Sequence, residues 1–247
     1  MASTGFASHR DQSITRGKPS ADFKIGNAIS IDGPAASGKT AVGSELARRL
    51  GFQFLDTGGM YRAVTLLALE AGIDVRDEAA LTELSRRSRI DPVGGPSGDR
   101  LMVNGRDITD GLRAPKVDLS VSQVSTTKGV RIALVEQQRK IADQGPIVMV
   151  GRDIGTVVLP DAKGKVYLDA SAEVRAHRRV RDMTDLGRDV SYDRVVTELK
   201  ARDGIDSQRK ESPLRPAEGA LILDTDDMSV DEIADTVMRY FKPQQWR

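Results

Sequence analysis

Residues 25–50 read IGNAISIDGPAASGKTAVGSELARRL, an apolar run followed by a glycine-bounded turn and then a helical repeat. Apolar residues alternate on the predicted strand and recur on one face of the predicted helix: Ile29, Ile31, Val42, Leu46 and Leu50. A strand, a glycine-rich loop and a helix in this order are typical of phosphate-binding loops. The stretch therefore predicts a nucleotide-binding loop at the start of an α/β domain.

The turn matches the pattern G-x-x-x-x-G-K-[ST], with Gly33 and Gly38 at its glycine positions and Lys39 and Thr40 at its end. Glycines let backbone N–H groups converge on an anion, and the helix N-terminus adds a favourable dipole. Lys39 is expected to reach the β- and γ-phosphates, and Thr40 to help hold Mg²⁺ that bridges phosphate oxygens. The predicted nucleotide-binding residues of the loop are Gly33, Pro34, Ala35, Ala36, Ser37, Gly38, Lys39 and Thr40. A glycine-rich turn that matches by chance is the alternative.

Composition excludes several classes of function. The chain has 37 Lys+Arg against 36 Asp+Glu, a formal net charge of +1, so no general field for nucleic acid is expected. The absence of cysteine excludes disulfides and thiolate zinc sites and favours a reducing compartment, so the expected location is the cytoplasm. No apolar run approaches the roughly 18 to 20 residues of a spanning helix, and no membrane association is expected. A monomer is expected.

Residues 1–24 are rich in Ser, Gly, Arg and Lys and predict a flexible leader, either native or added. Beyond them, predicted strands alternate with predicted helices, which indicates a parallel sheet with helices on both faces. Over residues 89–121, short strands separated by G-G-P-S-G, N-G and D-G turns predict a small antiparallel insert. Helix caps are predicted at Thr57, Ser171 and Ser229. The terminal helix is expected to turn Val230, Ile233, Val237 and Phe241 inward.

Arginines and acids recur where strands end or helices begin. Arg62 lies near the start of a helix, where the dipole favours acids, which indicates an anionic ligand; a solvated arginine is the alternative. Arg152 and Asp153 follow a buried strand at 146–150, where ligands gather in open α/β sheets, although they could instead pair with each other or with a loop. The charge run at 175–181 is typical of a solvated helix face.

A third candidate group lies in R-D-G-I-D-S-Q-R. If the helix predicted at 191–203 continues past Gly204, Arg202, Asp206 and Arg209 share one face. A structural ladder of ion pairs is the alternative.

Several stretches together resemble the bacterial cytidylate kinase (CMP/dCMP kinase) family: IDGPAASGK, LDTGGMYR, SQV, GRDIGTVV, SAEVRAHRR and R-D-x-x-D-x-x-R. The resemblance covers residues 25 to about 240. It implies a P-loop NTPase fold, with a core over 25–247 that includes a nucleoside monophosphate-binding insert at 84–121 and a helical LID at 177–191. It also implies ATP-dependent phosphorylation of CMP and dCMP to CDP and dCDP, with Mg²⁺, in pyrimidine nucleotide metabolism.

The resemblance also implies roles for residues at matching positions. Ser122, Arg131 and Asp153 match cytosine contacts; Thr57, Arg202 and Asp206 match positions near the sugar; Arg62, Arg152 and Arg209 match those that hold the acceptor phosphate. Tyr61 is a further expected substrate contact, and Arg178 and Arg181 of the LID are expected to contact ATP. Lys39, Arg152 and Arg209 are the expected catalytic residues. Ala41 departs from the family pattern, since a second hydroxyl often stands there, and leaves Thr40 as the sole hydroxyl.

The chemistry of phosphate, arginine and cytosine is consistent with the activity that the resemblance implies. A phosphate acceptor is already ionised near neutrality, since its second pKa is about 6, so no general base is needed. Arginine binds phosphate oxygens in pairs and stays charged. Asp153 can accept the exocyclic amine of cytosine but would face a carbonyl oxygen in uracil, so CMP is expected to be preferred over UMP. LID closure over bound acceptor would keep water from the phosphoryl group.

Three other functions stay open from the sequence. A P-loop kinase for another small acceptor would use the same loop. A GTP-dependent switch would require an N-K-x-D motif, which the sequence lacks. A non-catalytic nucleotide-binding module would bind ATP without acceptor-dependent turnover.

Overall fold

A five-stranded parallel sheet lies at the centre of the computed structural model, which describes residues 27–93, 100–185 and 187–242. The predicted leader and the G-G-P-S-G turn lie outside these residues. The strands are β1 (Ala28–Asp32), β2 (Gln53–Asp56), β3 (Ile90–Val93), β4 (Arg100–Val103), β5 (Arg106–Asp107), β6 (Ile147–Gly151), β7 (Gly164–Asp169) and β8 (Leu221–Asp224). The parallel sheet has the order β2-β6-β1-β7-β8, and β3, β4 and β5 form a separate antiparallel sheet.

Helices cover both faces of the parallel sheet, as predicted. They are α1 (Lys39–Leu50), α2 (Thr57–Glu70), α3 (Glu78–Arg87), α4 (Pro115–Val124), α5 (Lys128–Ala142), α6 (Ala172–Asp185), α7 (Tyr192–Gln208) and α8 (Val230–Phe241). On one face, Ile29 and Ile31 pack with apolar residues of α1 and α8. On the other, Ala28 packs in a larger cluster built from α2, α3, α4 and α5. This alternation along β1 buries both faces of the sheet.

The structure corrects four local predictions. The cap of α2 is Asp56, whose carboxylate accepts from Gly58 N, while Thr57 is the first helical residue. α4 lies within the region that the sequence assigned to short strands. α7 continues through Gly204 to Gln208, beyond the predicted end at 203. Val230 is 37% exposed and does not face the core.

Other local predictions are confirmed. The Ser171 hydroxyl accepts from Val174 N at the start of α6. Ser229 and Glu232 form the predicted capping box of α8. The antiparallel pairing of β3 with β4, in which Ile90 lies opposite Val103, confirms the small insert.

Candidate active site

The sheet brings the candidate residues together at its carboxyl edge. In the strand register, Asp32 of β1 lies beside Gly151 of β6, and Asp56 of β2 lies beside Val150. The loop after β1 is the predicted phosphate loop, and the segment after β6 begins with Arg152. Ligands bind at this edge in open α/β folds because the loops there converge. The predicted donor and acceptor residues therefore share one end of the sheet.

The backbone of the phosphate loop depends on its glycines. Gly33 has φ 152°, and a Cβ there would lie 2.1 Å from the Leu168 carbonyl oxygen. Gly38 has φ 90° and ψ 2° immediately before the first residue of α1. Both conformations strain L-residues. The glycines thus set the path that turns the backbone into the N-terminus of α1.

Lys39 is the first residue of α1, and its side chain turns back onto this loop. Its ammonium donates to the Pro34 carbonyl and, at 3.2 Å, to Ser37 Oγ. Burial, and next the charge of Arg152, lowers the pKa of Lys39 well below its ordinary value. A phosphate close to the ammonium would oppose this shift, since a nearby anion favours the charged form. The lysine is thus held where an anion stabilises it.

Thr40 and Asp56 supply oxygen atoms beside the loop. Thr40 Oγ1 donates to Asp56 Oδ2 at 2.7 Å. Mg²⁺ prefers oxygen ligands and is usually held by one or two protein groups together with substrate phosphates. Within the described residues, no cluster of His, Cys, Asp and Glu could hold a metal by itself. The residues present therefore fit a magnesium ion that enters with phosphates.

A narrow cleft of about 40 Å³ lies next to the loop. All the predicted acceptor residues line it except Arg62 and Ser122. Ser122 lies on α4, but the residues of that helix and its end that face the cleft are Val121 and Ser125. The lining residues are Thr57, Gly58, Tyr61, Val121, Ser125, Arg131, Gly151, Arg152, Asp153, Arg202, Asp206 and Arg209.

Asp153 is the centre of a buried charge group in this cleft. It hydrogen-bonds Arg131, and its other oxygen lies 3.6 Å from Arg209 Nη2. The Arg131 guanidinium also lies 5.6 Å from the centroid of the Tyr61 ring, within cation–π range. Burial raises the pKa of Tyr61 to about 12, so the tyrosine stays neutral. Asp153 pairs with these residues and not with its neighbour Arg152.

Arg152 instead pairs with Asp206, through Nε at 2.8 Å. Asp206 also lies 4.0 Å from Arg202 and 3.9 Å from Arg209, so these three residues share one face of α7, as predicted. This face contacts Arg152, which follows β6. Burial raises the pKa of Asp206, but Arg152, Arg202 and Arg209 together lower it, and the net shift is downward. The carboxylate is therefore ionised.

Cations outnumber carboxylates in the cleft. Its lining has the guanidinium groups of Arg131, Arg152, Arg202 and Arg209 against the carboxylates of Asp153 and Asp206. Burial, and next the charge of Arg152, lowers the pKa of Arg202 to about 10. Arg202 Nε and Arg209 Nη2 are buried and lack a hydrogen-bond partner among the described residues. Buried donors are normally satisfied, so these two indicate a place for an anionic ligand.

Arg62 points elsewhere in this structure. Its guanidinium donates to Asp118 Oδ1 at 2.6 Å and to the Leu112 carbonyl at 3.1 Å. It is neither a solvated arginine nor part of the cleft lining. Asp118 lies 56 residues from Arg62 along the chain, and no motif or periodicity indicates this pair.

The arginines of α6 have different surroundings. Arg178 donates to the carbonyl and hydroxyl of Thr225, after β8, and a Cβ on Gly38 would lie 3.9 Å from it. Arg181 is exposed. Arg175 is buried, donates to the Ala35 carbonyl of the phosphate loop at 3.2 Å and pairs with Asp203. The predicted solvated face is therefore wrong for Arg175.

Asp32 is a buried residue that the sequence reasoning did not single out. Its carboxylate accepts from Ile154 N and Gly155 N, each at 2.8 Å, and so connects β1 to the π-helical turn that follows Asp153. Burial raises the pKa of Asp32 to about 6, although these two hydrogen bonds oppose the shift. The carboxylate fixes the backbone that presents Arg152 and Asp153.

A larger open groove of about 480 Å³ runs along α5. It shares only Arg131 with the cleft. Two of its lysines already pair with acids, Lys140 with Glu136 and Lys128 with Glu211. Its size therefore does not make it a better phosphate site than the cleft. Among the described residues, no helix has the length and apolar character needed to cross a membrane.

The chain is similar to proteins of one family over most of its length. The family model described as cytidylate kinase matches residues 29–243. A cytidylate kinase of Bacillus velezensis is 45% identical over 211 residues, which cover 85% of this chain and 94% of that protein. A cytidylate kinase of Caldanaerobacter subterraneus is 46% identical over 85% of this chain and 92% of that protein. Among solved structures, a shikimate kinase of Acinetobacter baumannii covers 89% of this chain and 95% of its own, with 16% identity and a TM-score of 0.42.

Proposed function

The chain belongs to the cytidylate kinase family, and from this premise we propose which residues bind its substrates and how they act. The protein is an enzyme, a nucleoside monophosphate kinase that transfers a phosphoryl group to CMP and dCMP. ATP is the proposed donor, and CDP or dCDP and ADP are the products.

The cleft beside the phosphate loop is the proposed acceptor site. The observation that supports it best is the pair of buried arginine donors without hydrogen-bond partners, Arg202 Nε and Arg209 Nη2. An incoming nucleoside monophosphate has an acceptor oxygen for each of them, on its sugar for Arg202 and on its phosphate for Arg209. Arg62, Arg152 and Arg209 would hold the acceptor phosphate, while Thr57, Arg202 and Asp206 would lie near the sugar.

Asp153 and Arg131 are the proposed readers of the base, with Tyr61 beside them and Ser122 nearby on α4. An ionised carboxylate accepts from the exocyclic amine of cytosine and repels the carbonyl oxygen at the same place in uracil. Since Asp153 already accepts from Arg131, its carboxylate is held in position without the nucleotide. Preference for CMP over UMP follows from this fixed acceptor.

The donor side is proposed at residues 33–40, with Arg178 and Arg181 contacting ATP from α6. Lys39 would leave the Pro34 carbonyl for the β- and γ-phosphates. Thr40, beside Asp56, would hold Mg²⁺ through the phosphates; the ion, when bound, bridges phosphate oxygens and offsets their charge.

The transfer itself requires positioning and charge stabilisation. An oxygen of the CMP phosphate forms a bond to the γ-phosphorus of ATP while the bridging bond to the β-phosphate breaks, and ADP leaves with that electron pair. Negative charge spreads over the phosphoryl group in flight, where Lys39, Arg152 and Arg209 would stabilise it. The acceptor oxygen is ionised near neutrality, so no residue has to remove a proton.

We keep four further assignments as proposals. The segment 84–121 would be the nucleoside monophosphate-binding insert and the segment 177–191 the LID. The expected state is a monomer, and the absence of cysteine supports a reducing compartment such as the cytoplasm.

The test measures ADP formation from ATP with CMP, dCMP, UMP or AMP as the acceptor. CMP and dCMP should give the highest kcat/KM, and UMP should fall below CMP by about 5- to 150-fold, the range of one specific base contact. Equal use of all four would remove the role of Asp153. Stimulation by no nucleoside monophosphate would favour a kinase for another small acceptor.

A further inference from the structure

Three arginines converge on one carboxylate, that of Asp118 on α4. Arg62 Nη1 lies 2.6 Å from Oδ1, Arg179 Nη2 lies 3.3 Å from Oδ1, and Arg188 Nη1 lies 3.4 Å from Oδ2. These arginines come from α2, from α6 and from the segment between α6 and α7. The Asp118 side chain is 17% exposed, so the group is mostly shielded from water. One acidic residue thus ties the acceptor side of the molecule to the proposed LID.

This group lies within electrostatic reach of the cleft. The charges of Arg62 and Arg179 both contribute to the lowered pKa of Arg202, which lines the cleft. Neutralisation is incomplete, because Asp118 supplies one negative charge to three guanidinium groups. A phosphate monoester supplies about 1.5 to 2 negative charges and more acceptor oxygens.

The other contacts of these arginines are weaker anchors. Arg62 donates to the Leu112 carbonyl at 3.1 Å, and Arg188 donates to the Arg113 carbonyl. A neutral carbonyl holds a guanidinium less strongly than a charged oxygen does. Asp118 is therefore the principal partner that an incoming anion would have to replace.

We propose that Asp118 is a resident counter-ion: it holds these arginines in the absence of nucleotide, and the acceptor phosphate takes its place at Arg62. The inference rests on the proposed role of Arg62 in binding that phosphate. When a ligand must displace an internal partner, only molecules whose site is free can bind it. Its apparent affinity is therefore the intrinsic affinity multiplied by that free fraction. Asp118 therefore weakens CMP binding and keeps the arginines ordered when the site is empty.

The test replaces Asp118 by asparagine, which keeps the shape and removes the charge. Calorimetric titration with CMP should give a dissociation constant lower by about fivefold or more, the lower end of typical coupling between sites. The KM for CMP should fall in parallel without a rise in kcat, and inorganic phosphate should become a stronger inhibitor. Asp118→Glu, which restores the charge, should return the affinity towards that of the wild type.

Asp235→Asn is the matched control, because it removes the same charge from Arg49, an arginine of α1 that pairs with α8. It should leave CMP affinity unchanged. Unchanged or weaker CMP binding by Asp118→Asn would overturn the proposal, whereas a wild-type protein that does not bind CMP would refute the proposed function. If the asparagine variant does not fold, Asp118→Ser takes its place with the same expectation; failure of both to fold would show that the carboxylate is structural and would also overturn the proposal.

Discussion

Removal of the Asp153 carboxylate should cost both stability and base selectivity. Asp153 faces Arg131 and Arg209, and the side chains of all three are between 5% and 7% exposed. Asp153→Ala would leave two buried guanidinium groups without this charge. Loss of one partner from a buried ion pair typically costs about 3 to 5 kcal/mol. In a chain of this size, Tm falls by about 2 to 4 °C per kcal/mol, so a decrease of roughly 6 to 20 °C is expected.

Asp153→Asn separates the two effects. Its amide keeps one acceptor for Arg131, so the loss of stability should be smaller than for alanine. The same amide can accept from the cytosine amine or donate to the uracil carbonyl, so it no longer distinguishes the two bases. The ratio of kcat/KM for CMP to that for UMP should therefore fall from about 5- to 150-fold towards unity.

Thermal unfolding followed by circular dichroism measures the decrease in Tm, and ADP release with CMP and UMP measures the selectivity. Asp235→Asn, at an exposed ion pair, should change neither. A CMP preference that survives in folded Asp153→Asn would refute base reading by this carboxylate. Wild-type stability in Asp153→Ala would refute the buried charge group.

Three further predictions concern the loop, a buried acid and a helix contact. Lys39→Ala should abolish turnover with every acceptor, because Lys39 contacts the donor ATP. The dissociation constant of CMP, measured by calorimetry, should stay within about threefold of the wild-type value. Burial raises the pKa of Asp32 from 3.8 to about 6, so its contribution to stability is fully present below about pH 4 and is lost as the pH rises through 6. The difference in unfolding free energy between the wild type and Asp32→Asn should therefore fall by about 2 kcal/mol from pH 4 to pH 7 in urea titrations. Gly43→Ala should lower the unfolding free energy by about 1 to 3 kcal/mol, because the new Cβ would lie 2.5 Å from Val150 and 2.8 Å from Phe54.

Each of these predictions has a control. The exposed Lys200 is a match for Lys39, and its alanine variant should keep full turnover. A difference between the wild type and Asp32→Asn that is the same at both pH values would contradict the raised pKa. Gly204, also within a helix, has nothing within 4 Å of its Cβ position, so Gly204→Ala should stabilise by about 1 kcal/mol. Equal effects at the two glycines would contradict the packing argument for Gly43.

Local signals allowed much of the fold to be predicted from the sequence. The phosphate loop, the parallel sheet and the capping box at Ser229 depend on residues that are close together in the chain. α4 was missed because its region was assigned to the strands and turns of the insert, although Pro115 at its first turn is a helix-start signal. The cap of α2 was assigned one residue late because Asp56 and Thr57 are both good caps, and Thr57 instead donates to the Val150 carbonyl.

The sequence predicted which residues belong to the candidate site better than it predicted which of them pair with each other. Arginine and acid at strand ends indicated a shared edge, and the structure places Arg152 and Asp153 there. Which cation meets which carboxylate depends on long-range packing: Arg152 pairs with Asp206, 54 residues away, and Arg188 reaches Asp118, 70 residues away. No periodicity or motif encodes such pairs, so Asp118 and Asp32 became visible only in three dimensions.

A crystal structure of the protein with CMP tests the central claim most directly, because the claim is that scattered anion-binding residues form one acceptor site. The nucleotide should lie in the cleft with its phosphate within hydrogen-bond distance of Arg152 and Arg209 and its exocyclic amine facing Asp153. A phosphate bound elsewhere, for example in the groove along α5, or a base turned away from Asp153, would contradict the account.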